Sequence, residues 1–256
     1  KDGKVLKTIY QYKGYLNGEG ENPFKENDIN LLRTEIFLEA EKNLIKNKEE
    51  NIFYLEAPTG SGKTNTSINL AFNLLKENSN INKIFYVFPF NTLVEQTKES
   101  LDEVFENHED IKNQIAIINS ITPIKAEDEE EENKEIFING LSKKIDYEKS
   151  LLNRQFLHYP IVLTTHVNFF NYLFGNSRES VFALPHIANN IIILDEIQSY
   201  KNYIWKEIII FLKKYAEILN IKIIIMSATL PKLDILVGTE EGFVNLIENR
   251  EIYYNN

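Results

Sequence analysis

Six short apolar runs punctuate the chain, at Ile52 to Leu55, Ile84 to Phe88, Ile115 to Ile118, Ile161 to Leu163, Ile191 to Leu194 and Ile221 to Met226. Each is rich in Ile, Val, Phe or Tyr and lacks the polar alternation of a strand with one wet face, so each reads as a strand buried on both sides. Helical spacing fills the intervals. Ile68, Ala71, Phe72 and Leu75 form one stripe, Val94, Thr97, Leu101, Val104 and Phe105 a second, and a long stretch from about Tyr203 to Leu219 follows the fifth run. Strand and helix in alternation predict an α/β fold, a largely parallel sheet with helices on both faces, whose ligands sit at the carboxyl ends of the strands. The segment up to about Lys25, with Val5, Leu6, Ile9, Tyr10 and Tyr12 followed by Gly14, Gly18 and Gly20, reads either as an edge strand or as a linker. No internal repeat is evident.

Composition narrows the classes. The 256 residues are 43% hydrophobic and 26% charged, and they contain 10 Gly and 7 Pro, which excludes disordered and collagen-like chains. The length suits one large domain or two small ones. Without cysteine there can be no disulfide, thiolate metal site or cysteine nucleophile, and an intracellular, cytoplasmic location fits best. No run reaches the roughly 18 apolar residues of a membrane helix, and Lys1 to Tyr10 has no signal-peptide core. The first residue is not Met, so the expectation is a cut from a longer chain. Net charge is −10, but the block from Ala126 to Glu135 holds seven acids and one Lys, so more than half of the excess sits in one segment that reads as a solvated loop. The rest is only mildly acidic, and a local groove for a polyanion remains possible on it.

Chemistry enters after the first run, where Ala57-Pro58-Thr59-Gly60-Ser61-Gly62-Lys63-Thr64 leads directly into a helical stripe. This is a phosphate-binding loop with Ala in place of the first Gly. Small residues let successive backbone N–H groups curl around phosphates, and the following helix adds the positive end of its dipole. Lys63 is placed to reach the β and γ phosphates, and Thr64 to offer a hydroxyl to Mg²⁺. The fifth run ends in Asp195-Glu196-Ile197-Gln198. Asp195 suits a Mg²⁺-holding carboxylate, and Glu196 a base that polarises the attacking water. The sixth run ends in Ser227-Ala228-Thr229-Leu230-Pro231, small hydroxyl residues that on chemistry alone are as consistent with helix capping as with function.

The segments APTGSGKT, FPFNTLVEQ (Phe88 to Gln96), DEIQ and SATLP, in this order and spacing, resemble motifs I, Ia, II and III of superfamily two helicases across roughly Asn30 to Asp234. DEIQ, with Leu32-Arg33-Thr34-Glu35-Ile36 upstream and Thr164-Thr165-His166 before Asn168-Phe169-Phe170, looks most like the CRISPR-associated helicase-nuclease recruited by Cascade in type I interference. The resemblance implies a RecA-like P-loop NTPase fold. By it, Pro58, Thr59, Gly60, Ser61, Gly62, Lys63 and Thr64 would cradle ATP and Mg²⁺, Asp195 would hold Mg²⁺, and Glu196 would be the catalytic base. Gln198 would face the nucleotide or a second lobe, and Ser227, Ala228 and Thr229 would couple nucleotide state to DNA grip. Pro89, Asn91, Thr92, Thr164 and Thr165 match positions that contact the backbone of a single strand, with helix capping as the alternative for the hydroxyls. Arg33 and Asn30 would flank the adenine, although no clear Gln motif is present.

The pattern also departs from that family. Nothing after Asp234 offers motifs four to six, so the expectation is lobe one alone, over residues 26–240, with 241–256 starting a connection to a second lobe. An HD nuclease needs paired His and Asp ligands, and His108, His158, His166 and His186 show no such pair. The expected partners are therefore the displaced single-stranded DNA, a Cascade-type surveillance complex, and an HD nuclease domain and second lobe supplied in cis or in trans, with no membrane. A DEAD-related RNA helicase, a remodelling translocase and a non-catalytic docking module are the rival readings.

Overall fold

The computed structural model describes residues 2–25, 28–119, 149–199, 205–228, 242–248 and 253. Among the described residues seven strands form one sheet: β1 (Ile52–Glu56), β2 (Lys83–Phe88), β3 (Ile115–Ile118), β4 (Ile161–Thr165), β5 (Asn190–Leu194), β6 (Lys222–Ser227) and β7 (Phe243–Asn245). Their order across the sheet is β3-β4-β2-β5-β6-β1-β7, and every pairing is parallel. The first six coincide with the six apolar runs, because a parallel sheet covered on both faces buries both sides of each strand and so favours near-continuous apolar residues, with polar exceptions at strand ends such as Thr164, Asn190 and Lys222.

The two faces divide the strand residues by parity. Phe53 and Leu55, Ile84 and Tyr86, Ile191 and Ile193, Ile224 and Met226 join one core with α2 (Ile29–Lys46), α3 (Lys63–Glu77) and α4 (Asn91–Val104). Ile52 and Tyr54, Phe85 and Val87, Ile192 and Leu194, Ile223 and Ile225 join the other with α7 (His166–Phe174), α8 (Arg178–Ala183) and α9 (Trp205–Leu219). Burying one such Phe or Ile side chain is worth about 1.5 to 3 kcal/mol, so these cores set the register of the sheet. Short helices α5 (Glu109–Lys112) and α6 (149–155) lie in the connections flanking β3 and β4.

Three local readings change. The N-terminal segment is neither strand nor linker but a helix, α1 (Asp2–Leu16), whose Ile9 and Tyr12 are buried. Tyr12 donates to Glu35 Oε1 at 3.0 Å and Lys13 pairs with Glu41 at 3.3 Å, tying α1 to α2. On α3 the buried stripe runs through Ser67, Ile68, Leu70, Ala71 and Leu74, leaving Phe72 exposed. The span assigned to an interlobe connection contributes β7, which pairs with β1, and Leu246 and Ile247 are buried beneath α2. The acidic block 126–135 lies outside the described residues.

Candidate nucleotide and strand-binding site

β1, β5 and β6 deliver their carboxyl ends to one cleft because β6 is seated between the other two. β1 runs into the phosphate loop. Gly60 (φ +76°) and Gly62 (φ +82°) occupy the left-handed region, which costs an L-residue roughly 1 to 2 kcal/mol, so the loop's tight curl requires glycine at both. Gly62 caps α3, and Lys63 is its first residue, so the helix N-terminus opens onto the loop. The Lys63 ammonium donates to Ala57 O at 2.9 Å and Pro58 O at 3.2 Å, and lies 4.0 Å from Glu196 Oε1. Burial pulls its pKa below the usual lysine value, while Glu196 and Asp195 pull it back up.

β5 ends in the acidic pair. In an extended strand, consecutive side chains point to opposite faces. Glu196 breaks that alternation with a positive φ of +46°, and both carboxylates come to line one cavity of about 500 Å³ together with Thr59, Gly60, Lys63, Thr64 and Arg33. Asp195 Oδ1 accepts from the Glu196 N–H at 2.8 Å, and the Asp195 N–H is fixed to Val87 O at 2.9 Å. Desolvation, reinforced by the neighbouring Glu196 carboxylate, pushes Asp195 up to about 7, with that backbone bond and Lys63 opposing. A half-buried carboxylate beside a helix-borne hydroxyl is a hard-oxygen donor set of the kind Mg²⁺ takes. Ser61 Oγ is buried with no hydrogen-bond partner among the described residues, a polar atom at the loop that a ligand oxygen would satisfy. The residues present fit a Mg²⁺-nucleotide.

Gln198 and Ser227 form a bridge. Gln198 Nε2 donates to Glu196 Oε2, and Ser227 Oγ donates to Gln198 Oε1. The Ser227 carbonyl also accepts from the Ala57 N–H at 3.2 Å. Ser227 therefore touches the phosphate loop through its backbone and the acidic turn through its side chain. Ala228 is half-buried beside it, and Thr229 lies outside the described residues.

A second cavity of about 340 Å³ adjoins the loop, lined by Thr8, Ile9, Phe24, Asn30, Arg33, Phe37, Ser61 and Asn65. Its walls are mainly apolar and include two aromatic rings, Phe24 and Phe37, so it suits a flat heterocycle next to the phosphates. Arg33 joins the two cavities, donating from Nε to Gly60 O at 2.9 Å and from Nη1 to Asn30 Oδ1 at 3.3 Å. Phe24 and Thr8 went unread in the sequence and Ile9 was read only as part of an edge strand or linker, since a lone Phe in a Gly- and Asn-rich segment carries no periodic signal.

The strand-contact candidates separate into two groups. Asn91 and Thr92 stand at the start of α4, Asn91 half-exposed and bonded to Asn119 Nδ2 at 3.0 Å, Thr92 exposed. Both can meet a phosphate. Thr165 is nearly buried at the N-cap of α7 and makes no side-chain capping bond, while Pro89 is buried. Thr164 is fully buried and spends its hydroxyl on Ile118 O at 2.6 Å, so it cannot reach a strand and acts as a brace between β4 and β3. Sequence reading overlooked Arg154, whose Nη2 donates to Asn119 O and which places a guanidinium on this edge.

Comparisons with known proteins bear on the family and the fold. The DEAD/DEAH box helicase family matches residues 34–236. A CRISPR-associated nuclease/helicase Cas3 of Haloferax volcanii is 26% identical over 188 residues, 70% of this chain. A protein of Methanocaldococcus jannaschii that bears the same description provisionally is 28% identical over 210 residues, 81% of this chain. The chain spans only 19% and 26% of the length of those two relatives. Among solved structures, the DUF1998 helicase MrfA bound to DNA and AMPPNP superposes with a TM-score of 0.54 at 18% identity, over 84% of this chain and 27% of that one. T. fusca Cas3-AMPPNP gives 0.51 at 16% identity, over 81% of this chain and 23% of that one. At such identities these structures speak to the fold, which is that of the RecA-like helicases.

Proposed function

The chain belongs to the DEAD/DEAH box helicase family, and on that footing we propose that it is the ATP-binding lobe of a single-stranded DNA translocase acting in type I CRISPR interference. The observation that carries the nucleotide half of this reading is the convergence of Lys63, Asp195 and Glu196 on one cavity at the strand ends. The DNA and CRISPR half is supported by the relatives' descriptions and by the polar start of α4.

The residues divide the work. Backbone N–H groups of the loop and the N-terminus of α3 hold the phosphates, and Lys63 exchanges its loop carbonyls for phosphate oxygens. Thr64 and Asp195 would hold Mg²⁺, which neutralises phosphate charge during transfer. Glu196 orients the attacking water and takes its proton. Through Gln198 and Ser227, a displacement of the Glu196 carboxylate is felt at β6 and at the root of the phosphate loop. Phe24 stacks on the base in the adjoining cavity. Asn91, Thr92 and Arg154 grip a strand's backbone, a contact without sequence information. A second lobe supplies an arginine finger, an HD nuclease cuts, and a Cascade-type complex in the cytoplasm presents the displaced strand.

The test is calorimetric titration of the chain with Mg-ATP, paired with fluorescence anisotropy on labelled dT, mixed-sequence DNA and RNA strands. Expected are weak nucleotide binding and equal affinity for both DNA strands, in the range of nonspecific contacts, ~10⁻⁴ to 10⁻⁶ M. Tight, sequence-selective binding, or a clear preference for RNA, would overturn the DNA assignment; loss of nucleotide binding would overturn the rest.

A further inference from the structure

The carboxyl end of β2 runs through Phe88 into Pro89 and Phe90, and the three residues part company. Phe88 and Pro89 are buried, whereas Phe90 turns outward with 57% of its surface exposed, the most of any phenylalanine among the described residues. The other exposed phenylalanines lean on rings: Phe72 on Phe105, Phe174 and Phe211 on each other, Phe182 on Phe156. Phe90 has no ring neighbour among the described residues. It is also the N-cap of α4, with extended backbone (φ −139°, ψ 152°) and no side-chain capping bond. That position favours Asn, Asp, Ser or Thr, whose oxygen accepts from an N–H of the first turn. A phenylalanine there does nothing for the helix and leaves an apolar ring in water, so folding alone gives it no purpose.

Its surroundings on this edge are polar. Asn91 and Thr92 follow it, Asn119 just after β3 donates to Asn91 Oδ1 at 3.0 Å, and Arg154 donates to Asn119 O. Only β4 separates β3 from β2 in a parallel sheet, so the ring and this hydrogen-bonded group stand at the same carboxyl edge. Arg154 brings a single guanidinium to a chain whose net charge is −10, a modest attraction for a polyanion. Aromatic rings supply the other kind of affinity for single strands, because every base has a π-face and stacking needs no charge.

We propose that Phe90 is a stacking platform for a base of single-stranded DNA, at the point where the strand's backbone meets Asn91, Thr92 and Arg154. The inference rests on the strand-binding reading above and deepens it, since the contacts named there touch only the backbone. Pro89 locks its own φ on one side of Phe90 and α4 holds the other, so the ring rides on a stiff turn and little backbone freedom is lost when a base settles on it. Stacking of this kind tolerates any base, in keeping with a grip that carries no sequence information.

Fluorescence anisotropy of the chain on a labelled dT strand, and on the same strand with its bases replaced by abasic spacers, tests this. Wild type binds dT about fivefold or more tighter than the abasic strand, the yield of one stacked base. Phe90→Ala binds both strands at the wild type's abasic affinity, and its salt slope on dT is unchanged because the ring carries no charge. Phe90→Tyr keeps the preference. Phe90→Ser separates the ring from the fold: as an N-cap residue the serine holds or raises the melting temperature, yet the preference for dT is lost. A Phe90→Ala variant that still prefers dT, or that weakens equally on both strands, overturns the proposal, as does a Phe90→Ser variant that melts below wild type. Equal affinity of wild type for the two strands removes the platform and leaves the backbone contacts standing; no binding to either removes both.

Discussion

Replacing Asp195 with Asn should stabilise the protein at alkaline pH and not at acid pH, when divalent ions are absent. The carboxyl is raised from 3.8 to about 7 in the fold, chiefly by desolvation and then by Glu196 beside it. A carboxyl with a folded pKa above its unfolded one binds its proton more tightly in the native state. Stability therefore declines as pH rises through the window between about 4 and 7, and above 7 the ionised group is a standing cost. At about 1.4 kcal/mol per unit the three-unit shift sets a ceiling of ~4 kcal/mol. Asp195 is half-buried in an open cleft, where the effective dielectric is high, so a gain of ~1 to 2 kcal/mol is the realistic expectation. Asn keeps an oxygen to accept the Glu196 N–H, so the turn survives. For a chain of this size such a gain raises Tm by roughly 2 to 8 °C. Thermal melts in EDTA at pH 8 and pH 4 are the assay. A variant less stable than wild type at pH 8, or offset equally at both pH values, would show that Asp195 bears no desolvation cost. Adding Mg²⁺ should reverse the order, because only the carboxylate gains a partner.

Three other outcomes follow from the geometry. Lys63→Ala removes both the phosphate contact and the clasp on Ala57 O and Pro58 O, so calorimetry should show loss of Mg-ATP binding; equal affinity would refute the loop's role. Gly62→Ala forces an L-residue to φ +82°, at a cost of roughly 1 to 2 kcal/mol visible in urea denaturation, and nucleotide affinity should fall with it. Phe24→Ala should weaken ADP binding about tenfold, the equivalent of ~1.4 kcal/mol of lost stacking, while leaving pyrophosphate binding unchanged. Equal loss for both ligands would place the base elsewhere.

Much of the architecture is written locally. A strand covered on both faces is apolar along most of its length, so β1 to β6 are legible as runs. The phosphate loop is legible because its backbone conformation requires glycine at 60 and 62 and its chemistry requires lysine at 63. Other features depend on which distant segments meet. Nothing in a short window says that β6 lies between β1 and β5, yet that placement alone makes Ser227 a bridge between loop and acidic turn. Thr164 and Thr92 look alike as hydroxyls after strands. Pairing of β3 with β4 buries the first against Ile118, and the start of α4 exposes the second. Tyr86 reads as one more apolar strand residue until α3 packs over β2 and sets Ser67 against its hydroxyl. Periodicity records how much of each residue is buried; only the packed chain decides against what, because strand order and helix placement are settled by long-range contacts that leave no mark on local spacing.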